Sequence, residues 1–228
     1  MTAQPAYSQR VLTLLTGFAT FLMGFIDAYT YMEHNGVFVS AQTGNIIVFS
    51  AKMFSGDWHE AAGHITVFAG FAAGAFIGEA IIERSGGGSL GKYRTFLLAQ
   101  GVLLLGLAIF QHAIGQSIMV FALGLLSGYE LSVFRKIGST TINNGIMTGN
   151  TKNMMNKLYR AVFDRDREAG RDFRNLLIGL VLFILGVGTG ALVVGRDEQL
   201  ILWLAFVSNG LLFVWLLAAG KRKKTGER

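Results

Sequence analysis

Long apolar runs separated by short polar stretches set the rhythm of this chain. Val11–Tyr31, Ala61–Ile82, Leu176–Val194 and Leu200–Ala219 each approach the roughly 20 residues that a helix needs to cross a hydrocarbon core. Thr95–Phe134 runs apolar for 40 residues, interrupted only by Gln111-His112 and Gly115-Gln116-Ser117. At about 1.5 Å per residue it is roughly twice a bilayer core in length, which predicts two helices joined by a tight turn. Val11–Tyr31 is too long for the core of a signal peptide and no cleavage site follows it, so it reads as an uncleaved span. Glu33-His34-Asn35-Gly36 ends that span, and Ser55–Glu60 is a polar turn. Glu83–Arg94, with Gly86-Gly87-Gly88, and the densely charged Tyr159–Arg174 read as loops.

Two stretches fit neither pattern. Val37–Phe54 and Gly138–Leu158 are apolar at their flanks and polar in the middle. The first carries Ser40-Ala41-Gln42-Thr43-Gly44-Asn45 and the second Gly145-Ile146-Met147-Thr148-Gly149-Asn150. Their surroundings repeat too. Gly24-Phe25-Ile26-Asp27-Ala28-Tyr29 matches Gly124-Leu125-Leu126-Ser127-Gly128-Tyr129 at an offset of 100 residues. The Thr-Gly-Asn elements follow at an offset of 105, and Gly70 and Gly74 match Gly186 and Gly190 at 116. This order predicts a duplication within one membrane domain: a first repeat over 11–112, a second over 117–219, and a basic tail over 220–228. Gly70, Gly74 and Gly78, with Gly186/Gly190, Gly24/Ala28 and Gly124/Gly128, are small-residue faces for close helix contacts. They are also a candidate surface for pairing with a second copy.

Charge decides between two topologies. If the Thr-Gly-Asn segments turn back inside the bilayer, six helices span, both termini are cytoplasmic, and only Lys52 and Arg196 of the 20 basic residues lie outside. If they span, eight helices form two parallel repeats, and Arg84, Lys92, Arg94, Arg135, Lys136 and Arg196 move outside. The positive-inside rule favours the first arrangement. The expected fold is therefore all-α and integral to the membrane, with six spans and two re-entrant segments. Three spans per half invert one repeat relative to the other, so the segments enter from opposite sides. Re-entrant backbone is tolerated only where protein or water satisfies it.

The composition agrees: 52% hydrophobic, 15% charged, no cysteine and one proline. The formal charge of +6 lies in cytoplasmic loops and the tail, where it orients the protein and meets anionic lipid headgroups rather than nucleic acid. Without cysteine there is no disulfide, thiolate nucleophile or cluster ligand, and the chain contains no Gly-x-Ser-x-Gly elbow, Walker loop or paired acidic motif. No enzymatic activity and no cofactor is expected. His59-Glu60 and His64 lack the spacing of the His-Glu-x-x-His motif and fall in an external turn, so no metal is expected.

The candidate site is built from Thr43, Gly44, Asn45, Thr148, Gly149 and Asn150, with Asp27, Tyr29 and Tyr129. Thr43 and Thr148 are expected as N-caps of half-helices over Ile46–Phe54 and Thr151–Leu158, whose positive ends near the midplane suit small solutes, anions included. Asp27 is an ionisable residue inside a span, a position that usually marks a pathway. Tyr29 and Tyr129 are expected either to hydrogen-bond across the site or to pack in the core. Glu79 is expected to snorkel, and Glu130 to pair with Arg135 or Lys136.

Gly24–Ala28, Gly36-Val37-Phe38-Val39 and Thr43-Gly44-Asn45, followed by Arg135, Gly138, Thr140-Thr141 and Thr148-Gly149, resemble in order the YoaK-like family of bacterial multi-pass membrane proteins. Where that family often carries a Gln-Asn pair ahead of the arginine, this chain has Leu126-Ser127-Gly128. The resemblance implies a bacterial plasma-membrane location and no established activity. The residues themselves point to a transporter or channel for a small solute or ion. The alternative is a non-transporting membrane scaffold or partner subunit.

Overall fold

A computed structural model describes residues 6–84 and 91–226, with side chains over 9–84 and 91–219. Gly86-Gly87-Gly88 and the side chains of the basic tail lie outside the described residues. Among the described residues eight helices follow one another: α1 (Ala6–Glu33), α2 (Gln42–Phe54), α3 (Trp58–Arg84), α4 (Gly91–Phe110), α5 (Gln116–Val133), α6 (Met147–Phe163), α7 (Arg167–Val194) and α8 (Leu200–Gly226). Six of them, all but α2 and α6, are long and apolar enough to cross a membrane. The 40-residue apolar run is two helices, broken at Gln111–Gly115. Helix α1 stops where Asn35 and Gly36 take positive φ angles of 55° and 72°, and the Gly36 amide bonds back to the Tyr31 carbonyl at 3.2 Å.

One expectation about the polar stretches fails, and a further feature was not anticipated. Tyr159–Arg174 is helical except for the turn at 164–166, because Asp166 starts α7 as its N-cap, accepting from the amides of Glu168 and Ala169 at 2.9 and 3.0 Å. Charge alone does not make a loop when a cap and an ion pair, here Arg160 to Asp166 at 2.7 Å, are available. The stretch before α6 holds a small antiparallel hairpin, β1 (Lys136–Ile137) with β2 (Thr140–Thr141), turning at Gly138 with φ 59°. Threonines of α1 hold it: the Gly138 amide donates to Thr13 Oγ1 at 2.9 Å and the Lys136 amide to Thr16 Oγ1 at 3.4 Å.

Helices α1 and α7 pack closely, as do α3 and α5, while α2 lies on α3, α6 on α7 and α4 on α8. Glycines set the close approaches. A Cβ on Gly70 or Gly74 would come well inside 3.0 Å of the Phe121 or Leu125 carbonyl oxygen, and one on Gly186 or Gly190 would do the same to Phe21 or Phe25. Gly124 faces the Val67 carbonyl and the Phe71 amide; Gly24 faces the Phe183 carbonyl and the Val187 amide. The offsets of 100 and 116 residues found in the sequence relate every one of these contacts to its counterpart. The glycine faces read as a candidate surface for a second copy are thus covered by the chain's own helices. Leu22, Ile26, Leu104, Leu123, Leu126 and Ile201 fill the centre, while Phe76, Leu192 and Leu211 face outward.

Candidate functional site

Each Thr-Gly-Asn element closes a short loop through its asparagine. Asn45 Oδ1 accepts from the Phe38 amide at 3.1 Å, and Asn45 Nδ2 donates to the Phe38 carbonyl. Asn150 does the same to Asn143, with its Oδ1 accepting at 3.1 Å and its Nδ2 donating at 2.7 Å. A primary amide offers both a donor and an acceptor, so one side chain bonds the backbone N–H and C=O of a residue seven positions back. This corrects the assignment of Thr43 and Thr148 as N-caps. The helices begin after Ala41 and Ile146, neither of which makes a side-chain cap, and both threonines are exposed in the first turn. Gly44 and Gly149 are helical and unstrained; a Cβ on Gly149 would meet nothing within 4 Å, and one on Gly44 only the Phe38 ring at 3.5 Å.

Asn45 is the more heavily tied of the pair. Its Nδ2 also donates to Gln42 Oε1 at 3.0 Å, and its Oδ1 lies 3.1 Å from Nδ1 of His64, where the tautomer protonated at Nδ1 donates. His64 was expected in an external turn. It is instead buried on α3, because the helix begins at Trp58 and turns this position onto α2. Among the described residues no group of three His, Cys, Asp or Glu side chains is placed to hold a metal.

Asp27, 4% exposed, reaches the backbone just ahead of α2. Its Oδ1 accepts from the Val39 amide at 2.8 Å and the Ser40 amide at 3.1 Å, and its Oδ2 from the Ser40 hydroxyl. Ser40 also sits 3.3 Å from the carbonyl oxygen of Gly145, and a Cβ on Gly145 would collide with the Ser40 side chain. The two polar segments therefore cross at Ser40 and Gly145, residues 105 positions apart like the motifs themselves. Only a glycine permits that approach. A further tie, Thr20 Oγ1 to Asn144 Oδ1 at 3.1 Å, joins α1 to the second segment.

A cleft of about 460 Å³ opens at this crossing. Asp27, Ala28 and Tyr31 of α1, Phe38 and Ala41 of the first segment, Gly145, Met147 and Thr148 of the second, and Phe183 and Val187 of α7 line it. The structure thus brings Asp27 and Thr148 to one cavity, while Asn45 and Asn150 are turned inward as clamps. Tyr29 and Tyr129 do not line it. Tyr29 meets His34 edge to face at 5.0 Å, and burial pushes the His34 imidazole below its ordinary pKa. Tyr129 stacks on Phe96 with centroids 3.8 Å apart.

The remaining acids also differ from expectation. Glu130 pairs with neither Arg135 nor Lys136 but accepts from Gln100 Nε2 at 2.9 Å, since α5 turns it inward against α4. Arg135 reaches Glu79 instead, at 3.5 Å. Ser40, Gly145, Phe38 and Asn143 were not singled out as site residues, and His64 was weighed only as a metal ligand. Two pairs carried a signal, the shared offset of 105 between Ser40 and Gly145 and between Phe38 and Asn143; His64 carried none.

No curated protein and no solved structure matches the chain. A family model described as "Protein of unknown function (DUF1275)" matches residues 15–215. With six apolar helices of spanning length, this is a multi-pass membrane protein that belongs to the DUF1275 family.

Proposed function

We propose that this protein is a transporter or channel for a small solute, bound where the two Thr-Gly-Asn segments cross. The observation that carries the reading is the cleft with Asp27 and Thr148 on its wall. Buried acids and interrupted helices at such a crossing are the usual furniture of membrane pathways. Asp27 narrows the solute class: an anion would have to approach a carboxylate in a low-dielectric setting, whereas a neutral or cationic solute would not.

In this reading α2 and α6 are re-entrant. Thirteen and 17 residues give about 20 and 25 Å of helix, short of a core roughly 30 Å thick. The halves are inverted repeats, each lending its motif segment from one side, with both termini cytoplasmic in a bacterial plasma membrane. The matched glycine contacts and matched asparagine clamps support the repeat; the basic loops and the YoaK-like resemblance support the orientation and location.

The cysteine-free chain makes the test direct. Thr43→Cys and Thr148→Cys replace exposed side chains and leave the clamps intact. In right-side-out vesicles a membrane-impermeant maleimide labels Thr43→Cys and spares Thr148→Cys; in inverted vesicles the pattern reverses. Protection of both from both sides would overturn the pathway and favour the non-transporting scaffold.

A further inference from the structure

A second polar cluster lies away from the cleft, between α4, α5 and α8. Glu130, wholly buried, accepts one hydrogen bond at Oε1, from Gln100 Nε2 at 2.9 Å. Its Oε2 has no partner, and neither does Gln100 Oε1. Both orphans are acceptors if the acid is ionised, which leaves two lone-pair oxygens buried without a protein donor. A buried unmade hydrogen bond is costly, and an unpaired buried charge more so. One proton removes both faults. A carboxylic acid and a primary amide form two antiparallel hydrogen bonds, N–H to the acid carbonyl and O–H to the amide carbonyl, and half of that ring is already in place.

No ion pair among the described residues includes Glu130, so no cation offers an alternative remedy. The charged and titratable groups on the elements around it make their contacts elsewhere, although the buried Nε of Arg94 has no partner. On α3, Glu79 is paired with Arg135. On α4, Arg94 donates to the Leu216 carbonyl at 3.5 Å and Tyr93 stacks with Phe134. On α1, Asp27 is held by Val39 and Ser40. On α5, Tyr129 stacks on Phe96, and α8 carries no ionisable side chain between 200 and 219. Asn209 of α8 donates to the Leu97 carbonyl, one turn before Gln100, and its Oδ1 is also buried without a partner.

We propose that Glu130 is a proton-binding site inside the helix bundle, a neutral carboxylic acid locked face to face with the Gln100 amide. The proton is taken from solvent water and returned to it when the pair parts. The site shares no residue with the cleft and does not rest on the transport reading.

Infrared spectroscopy of the purified protein reads the proton without any transport assay. At neutral pH the protein shows a protonated-acid C=O stretch that shifts on labelling with ¹³C-glutamate, survives Asp27→Asn and is lost in Glu130→Gln. In Gln100→Leu the band moves to the frequency of a more weakly hydrogen-bonded acid. The isotope shift needs no variant, so a poorly folded Glu130→Gln leaves the test standing. Absence of a glutamate-labelled band at neutral pH would overturn the site. A band that disappears when sodium replaces choline would make the cluster a metal-cation site, and would overturn it equally.

Discussion

Asn45 and Asn150 each hold both backbone polar groups of one residue, Phe38 and Asn143, and the Asn143 carbonyl accepts in addition from the Ile146 amide at 3.3 Å. Truncating Asn45 to alanine strands the Phe38 donor and acceptor, and truncating Asn150 strands the Asn143 amide while its carbonyl keeps the Ile146 amide, a cost of about 1–3 kcal/mol per stranded group. Asn45→Ala also frees Gln42 and buried His64, so it is the more damaging of the two. The expected outcome is a lower thermal midpoint in detergent for both, with Asn45→Ala below Asn150→Ala; a wild-type midpoint for Asn150→Ala would contradict the clamp. Gly44→Ala and Gly149→Ala are expected to leave that midpoint unchanged, since neither added methyl meets a clash. Loss of solute flux in either would then report on the motif segments rather than on folding. The motif was visible in the sequence because it recurs; its division of labour was not. A threonine hydroxyl and an asparagine amide are both plausible at a helix start, and only the fold reveals which one reaches seven residues back. His64 was hidden for the same reason: three turn-forming residues earlier, its helix could have started anywhere.

Helices were legible wherever apolar runs were long, since length and hydropathy alone predict spans. The hairpin was not, because two-residue strands carry no period, and the charged stretch around Asp166 concealed a helix junction. That junction has a definite pH signature. The Ala169 amide, then the Glu168 amide and Arg160, hold the Asp166 carboxyl below its ordinary pKa. A lowered folded value means that its stabilisation is complete above the ordinary carboxylate range and is lost as pH falls through the folded pKa. Asp166→Ala is expected to melt earlier than wild type at neutral pH, with the difference closing on acidification; Asp166→Ser, which still caps, retains most of the stability. Glycine positions separate just as cleanly. Gly74→Ala drives a Cβ into the Leu125 carbonyl and forces α3 from α5, a cost of about 1–3 kcal/mol for overpacking. Gly188→Ala meets open space inside α7 and is expected to be neutral or to stabilise by up to about 1 kcal/mol. The spacing of four in the sequence marked Gly74 as a contact, but it did not say against which helix.

At the scale of the whole molecule, the partner helices matter more than the sequence order. Helix α1 packs on α7 and α3 on α5, so each half of the chain contributes one helix to each glycine-tight pair. Neither half owns a complete core. Leu22 and Ile26 from the first half share a cluster with Leu123, Leu126 and Ile201 from the second, and the segments cross at Ser40 and Gly145. The sequence repeat predicted two similar halves; it could not distinguish halves that fold side by side from halves that interlock, because both give the same offsets. Interlocking has a measurable consequence. Cutting the chain in the short turn at 111–115, where no helix is interrupted, yields fragments ending and beginning at natural helix ends. Each fragment alone would expose glycine faces without the carbonyls that fill them, and the Asp27–Ser40 and Gly145 backbone would lose its crossing partner. Expressed singly, either fragment is expected to be degraded or to aggregate in detergent. Expressed together, the two are expected to co-purify as a one-to-one complex with the helical content of the intact protein, and Gly74→Ala in the first fragment or Gly186→Ala in the second to weaken that recovery. A single fragment that purified as a stable, monodisperse monomer would show that the halves fold independently, and the crossing would then be a contact between finished units rather than the centre of one.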